Sequence, residues 1–210
     1  PALDRGNAEA WHQYGWMLYV SGADSGAIAA YHEALRLEPQ RPFTLVQMAS
    51  IDFYKGRHAE AMPWLDSAVV IDPSFGFGYA IRAMARLQTG DVAGARADAE
   101  AAQRHTEPAY AETAYAMVQA RLGDTVGART RIAGLTTSAL RRETLPVEES
   151  VFLAGALAAT GDRDRALGVL ERARPRGAHL FTDLQLPALD ALRLHPRFQQ
   201  LAAESRPAAR

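Results

Sequence analysis

Cysteine is absent from this chain, and lysine occurs once, at Lys55, beside 22 arginines. Without thiols there is no disulfide framework and no thiolate metal site. That absence suits a reducing and an oxidising compartment equally; the cytoplasm is the expectation, with the periplasm as the alternative. Net charge is almost absent too: 24 acidic residues stand against 23 basic ones. Such a balance gives no electrostatic ground for nucleic acid or an anionic membrane as the main partner. No apolar run approaches the roughly 18 residues of a membrane-spanning helix, and no signal peptide is visible. None of the six histidines (His12, His32, His58, His105, His179, His195) pairs with another at i, i+4, and there is no H-E-x-x-H, so zinc is not indicated. Walker and G-x-G-x-x-G loops are missing. The serine in Gly22–Gly26 is misplaced for a nucleophile elbow and follows no strand. An enzyme would need titratable groups converging in a cleft. No catalytic residue and no cofactor is assigned.

What is present is a period. Glycine recurs at Gly22, Gly56, Gly90, Gly123 and Gly161, in steps of 34, 34, 33 and 38 residues. An alanine follows each five residues later: Ala27, Ala61, Ala95, Ala128 and Ala166. A period near 34 across most of a chain is the signature of a helical repeat array. With 48% hydrophobic residues, the chain has the composition of a folded protein. The expected fold is all-α: a right-handed solenoid of about five helix pairs with a C-terminal capping segment.

Each unit predicts two antiparallel helices, A before the glycine and B after it. Gly15, Ala49, Ala83, Ala116 and Ala154 hold one place in helix A, and the alanines after each glycine face them from helix B. Small residues there let two backbones approach while larger neighbours fill the groove. The turn glycines are placed to take a positive φ. Asp91, Asp124 and Asp162 stand where helix B needs an N-cap, and Pro39 and Pro73 stop helix B. The predicted helices span 8–21 and 24–37, 42–55 and 58–71, 76–89 and 92–105, 109–122 and 125–135, 147–160 and 163–174. Residues 136–146 read as an insertion, either a longer loop or an extension of the fourth helix B. The units run 8–41, 42–75, 76–108, 109–146 and 147–175, after a linker at 1–7 and before a cap and tail at 176–210. The opening PALDRGN reads as the end of an earlier helix plus a linker, as in a piece of a larger protein.

The first unit carries Trp11, Tyr14, Gly15, Leu18, Gly22, Ala27, Tyr31, Ala34 and Pro39. It resembles the tetratricopeptide repeat, with its W-x2-L-G-x2-Y, A-x3-F and closing P. Tyr14 and Leu18 depart conservatively, and Tyr31 replaces Phe. The resemblance covers about residues 8 to 175 in five units of common register. The tail segment PALDALRLHPRFQQL is similar to the closing stretch of such regions in multidomain bacterial regulators. Across the tail, Leu180, Phe181, Leu184, Leu186, Leu189, Leu192, Phe198 and Leu201 suffice to cover the open flank of the last unit.

The resemblance implies that the A helices line a concave groove. The residues it turns inward include His12, Trp16 and Tyr19 in unit one, Ser50, Phe53 and Tyr54 in unit two, and Met84, Tyr110 and Met117 further on. Tyrosine and tryptophan are enriched at binding hot spots, while packing between neighbouring A helices competes for the same residues, above all for Phe43 and Phe77. The groove is aromatic in its first half and small-residue in its last. The family's mode of clamping a C-terminal carboxylate with basic residues is disfavoured, because His12 and Trp16 stand at the early positions. A protein or peptide partner is implied, an amphipathic helix or apolar segment laid in the groove. The alternative is a regulatory or sensory region of a larger bacterial signalling protein, in contact with other parts of its own chain. Glu148 and Glu149 read as helix-start charges favoured by the dipole. Arg163, Arg165, Arg172, Arg174 and Arg176 read as a solvated basic strip.

Overall fold

The computed structural model describes residues 4–105, 108–173, 180 and 183–206. Ten α-helices form the array: α1 (Ala8–Val20), α2 (Asp24–Leu37), α3 (Pro42–Tyr54), α4 (His58–Ile71), α5 (Gly76–Thr89), α6 (Val92–His105), α7 (Pro108–Arg121), α8 (Thr125–Arg141), α9 (Val147–Ala159) and α10 (Arg163–Leu170). A short 3-10 helix, Pro187–Leu192, and α11 (Pro196–Ser205) follow. Among the described residues there is no strand beyond a single parallel bridge between Leu145 and Ala173.

The helices pair as the period demands. Odd-numbered helices pack on the even-numbered ones that follow them, and α7 also packs on α5 and α9. All five turn glycines lie at φ between 75° and 89°, a region that costs other residues roughly 1–2 kcal/mol. The three predicted caps form: the Asp91 carboxylate accepts from Gly94 N–H at 2.9 Å, Asp124 from Gly127 N–H at 2.8 Å, and Asp162 from Arg165 N–H at 3.4 Å. The paired alanines are fully buried from Ala27 to Ala166.

Unit one solves the same contact differently. Gly15 replaces the alanine of its helix A, and a β-carbon there would lie 2.6 Å from the Tyr31 ring. Tyr31 holds the place filled by Leu65, Ala99, Ile132 and Leu170 in the other units. The large ring therefore requires the missing methyl. Units two and three are tied by charge as well as packing. Arg82 of α5 grips the buried Asp98 of α6 at 2.7 and 2.8 Å and reaches Asp66 of α4 at 2.8 Å.

Three predicted boundaries shift. The fourth helix B does not end at 135, because Ile132, Thr136 and Ala139 continue one buried face. The helix therefore runs to Arg141, which decides the insertion in favour of an extension. The fifth helix B ends at Leu170 instead of 174. The chain turns there so that the Arg172 carbonyl accepts from Leu145 N–H at 2.8 Å, an exchange a continuing helix would forbid. Pro108 does not close unit three; it opens α7, where its missing N–H costs nothing.

The C-terminal segment does more than cover the last flank. Leu180, Leu184, Leu186, Leu189 and Leu192 are fully buried. The 3-10 helix packs on α9 and α10, and Arg197 of α11 pairs with Glu171 at 2.8 Å. From Asp183 to the first turn of the 3-10 helix the segment lies on the inner face of the array. The Tyr19 hydroxyl of α1 donates to the Asp183 carboxylate at 3.0 Å, while Ala188 and Leu186 lie against Gly155 of α9. Six residues of chain reach no further than about 20 Å, so the first and last units come close together. The readings made for Arg174, Arg176, His179 and Phe181 lie outside the described residues.

Candidate functional site

The period sets up the inner surface before any contact is considered. Thirteen residues ahead of each turn glycine stand Glu9, Phe43, Phe77, Tyr110 and Glu148. Because the units repeat, these side chains fall in one row: three rings bracketed by two carboxylates. The structure puts the rings in contact. Centroid distances are 5.2 Å from His12 to Phe43, 6.2 Å from Phe43 to Phe77, 4.9 Å from Phe77 to Tyr110 and 5.5 Å from Tyr110 to Phe152. Tilted and edge-on pairs at these distances are favourable beyond their burial.

Above this ladder the concave face opens into a cavity of about 400 Å³. Its rings come from Trp16, Tyr19, Phe43, Tyr54, Phe77 and Tyr110. His12 also reaches it, and its polar lining is Gln13, Gln47, Ser50 and Glu148. Among the described lining residues there is no lysine or arginine. Burial lowers the pKa of His12 against the opposing pull of Glu9, and its Nδ1 is 2.9 Å from the Thr44 hydroxyl. The imidazole is thus neutral near pH 7. Burial, helped by Glu148 and Glu149, pushes the Tyr110 hydroxyl up to about 12. Asp183 lies just behind, with its carboxyl held well above the usual range by burial and by the charge of Glu148, against the lowering effect of the Tyr19 hydrogen bond. Among the described residues the lining is mostly aromatic, with Glu148 its one acidic side chain.

Of the residues the sequence singled out, His12, Trp16, Tyr19, Ser50, Tyr54 and Tyr110 meet at this cavity. Three do not. Phe53 is 1% exposed and packs on Tyr54 and His58; its position turns toward helix B. Met84 is fully buried. Met117 lies near Gly155, beneath the C-terminal segment. Phe43, for which core packing competed with a place in the groove, is 47% exposed and forms a rim of the cavity. Glu148, read from sequence as a helix-start charge, lines it. The repeat register carried the signal for Phe43 and Glu148 alike, since both stand at the ring-bearing position.

The contrast between the two halves of the groove also acquires a cause. A β-carbon at Gly155 would lie 3.1 Å from that of Ala188, tighter than ordinary contact. The later A helices are lined by small residues because the chain's own C-terminal segment lies on them.

Among the described residues no helix is long and apolar enough to cross a membrane. No group of three or more histidine or acidic side chains among them is placed to hold a metal ion. No protein-family model matches the chain, and neither does any curated protein. Solved structures do. TTC0263, a tetratricopeptide-repeat protein of Thermus thermophilus, aligns at 21% identity over 93% of this chain and 99% of its own, with a TM-score of 0.62. PilW, a type IV pilus biogenesis factor, aligns at 16% over 94% and 84%, with a TM-score of 0.57. YrrB, a tetratricopeptide-repeat protein with an unusual peptide-binding site, aligns at 16% over 94% and 92%, with a TM-score of 0.53. The chain therefore resembles the tetratricopeptide-repeat family, and its fold is theirs: an all-α helical-repeat solenoid.

Proposed function

We propose that this chain is a non-catalytic binding module that holds a protein or peptide partner in the aromatic cavity of its concave face. The observation that carries the reading is the cavity itself: six rings from α1, α3, α5 and α7 surround about 400 Å³, and one of them, Phe43, is half exposed. Rigid rings at a concave site provide contact area at low entropic cost. The peptide-binding site ascribed to YrrB is consistent with this use of the fold. The crossing C-terminal segment favours a short peptide or the end of a helix over a whole helix, which is about 10–12 Å across with its side chains.

The test is substitution at the rim. Trp16→Ala and Phe43→Ala should weaken capture of a partner from bacterial lysate and its affinity in isothermal titration, with an unchanged circular-dichroism spectrum. Val70→Ala on the exposed outer face should change neither. Partner binding untouched by both rim changes would place the interaction elsewhere. Tyr54 is a poor probe, because it is 4% exposed and its removal would open a core cavity.

One observation favours a second reading, in which the ligand belongs to the same polypeptide. Residues 183–188 already lie on the inner face, tied to Tyr19 and Gly155. On that reading the chain is the regulatory region of a larger bacterial signalling protein. A kinase, cyclase or winged-helix segment in the same open reading frame would support it.

A further inference from the structure

A second surface lies on the flank of the first helix, and its central residues, Tyr14 and Met17, are not part of the cavity lining. We propose that this flank of α1 receives an alanine-rich α-helix from a partner protein, packed as each later A helix packs against the helix B ahead of it.

The repeat register defines the flank. Five residues ahead of the turn glycine, Ile51, Ala85, Val118 and Ala156 are all buried. Their counterpart in α1, Met17, is 55% exposed. Eight residues ahead of the glycine, Met48 and Leu153 are buried, whereas Tyr14 is 37% exposed. In the later units this flank packs on the preceding helix B: α3 on α2, α5 on α4, α7 on α6 and α9 on α8. Side chains cross the seam. Arg82 bonds to Asp66 of α4 at 2.8 Å, and Arg96 of α6 donates to the Tyr115 hydroxyl. One kind of interface thus occurs four times within the chain, and α1 presents the A-helix side of it once more.

Side-chain size selects the occupant. Where the flank is small, the facing helix is bulky: a β-carbon at Gly78 of α5 would lie 3.3 Å from Val69 of α4. Where the flank is large, the facing helix is small: Tyr115 and Val118 of α7 meet α6, in which six of the 14 residues are alanine. The first helix follows the second pattern. Its Ala10 and Tyr14 repeat Ala111 and Tyr115 at the same register positions, and Met17 is larger than Val118. The Tyr14 ring is braced edge-on by Trp11 at 6.2 Å, so the ridge is fixed in place. Close packing of two helices across such a ridge demands small side chains opposite it. A bulky helix would be held off, and an extended strand would find no free backbone groups on a helix flank to pair with.

The test uses two peptides that differ in this property. Residues 91–105, held helical by a hydrocarbon bridge between positions 93 and 97, reproduce α6. Residues 124–139, bridged between positions 126 and 130, reproduce α8, whose buried face carries Ile132 and Thr136. All four bridged positions are exposed in the array, and circular dichroism confirms helicity before use. Each peptide is titrated into the full chain with isotope-labelled methionine methyls. The Met17 signal, identified by its loss in Met17→Glu, is followed by NMR. The α6 peptide should move that signal saturably and bind about tenfold more tightly than the α8 peptide. In fluorescence anisotropy with labelled α6 peptide, Met17→Glu should weaken binding by about tenfold or more, while Val70→Glu on the outer face should leave it unchanged. Position 17 is exposed, so the variant should keep the circular-dichroism spectrum of the parent. A Met17 signal unmoved by either helical peptide would overturn the proposal. So would equal binding of the two peptides, or α6 binding that survives Met17→Glu. A signal that moves with the chain's own concentration, with a dimer in sedimentation velocity that Met17→Glu disperses, would assign the face to a second copy and overturn it as well.

Discussion

Among single residues, the first unit shows how one departure from the repeat is compensated by another. Tyr31 stands where the family pattern has Phe, and its ring fills the space that a methyl at residue 15 would need. Its hydroxyl is buried and makes no hydrogen bond among the described residues, and burial raises its pKa. Leaving such a group unsatisfied costs about 1–3 kcal/mol. Tyr31→Phe should therefore raise stability by about 1 kcal/mol in urea unfolding. Gly15→Ala should cost about 1–3 kcal/mol by overpacking, and most of that should vanish in the double variant with Tyr31→Leu, the pairing used by Ala49 and Leu65. Two additive single effects would mean that the ring does not set the limit. The sequence shows both departures; that they answer each other is visible only when the two helices are brought together.

Between helices, the pairs behave as their small residues require. Ala61 is fully buried between α3 and α4, so Ala61→Phe should lower the urea midpoint by the equivalent of about 1–3 kcal/mol or more. In an array that couples mainly to neighbours, the loss of amide protection should centre on units one to three. A neutral result would mean that the register of the pair is wrong. Helix starts and turn glycines were legible because each depends on a few adjacent residues. The ends of α8 and α10 were not. One is set by a buried face that continues through Ala139, the other by a backbone exchange with Leu145, on the far side of the unit's first helix. Glu148 shows the same limit at the site. Its helix-start position suits an acidic residue and masks the other signal, the register position that it shares with Phe43, Phe77 and Tyr110 and that brings it to the cavity.

Across the array as a whole, the tie between Tyr19 and Asp183 sets this solenoid apart from a simple linear one. Nearest-neighbour coupling would leave the first and last units independent; a hydrogen bond between them links their stability. The buried carboxyl also gives that link a pH dependence. In the folded state Asp183 holds its proton to a pH well above the ordinary carboxylate value, so between the unfolded and folded pKa values the native state binds the extra proton. Stability from this group is therefore greatest below about pH 4 and is lost as pH rises through the folded value. Asp183→Asn keeps an oxygen for the Tyr19 hydroxyl and cannot ionise. Its melting temperature should gain on that of the parent as pH increases from about 4.5 to about 8. A gap that stays constant or narrows would show that the carboxyl is ionised without penalty.

The repeat, its helix pairs, the positive-φ turns and the alanine contacts could all be read from the order of residues, because each is a local instruction given again every 33 to 38 residues. Six of the cavity-lining side chains, Ser50 among them, could be placed in the same way, since helical periodicity turns a fixed register position to a fixed face. The crossing of the inner face by the C-terminal segment could not. That contact joins residues 164 positions apart, where no periodicity operates and the outcome depends on how far the superhelix has curved by the time the chain returns.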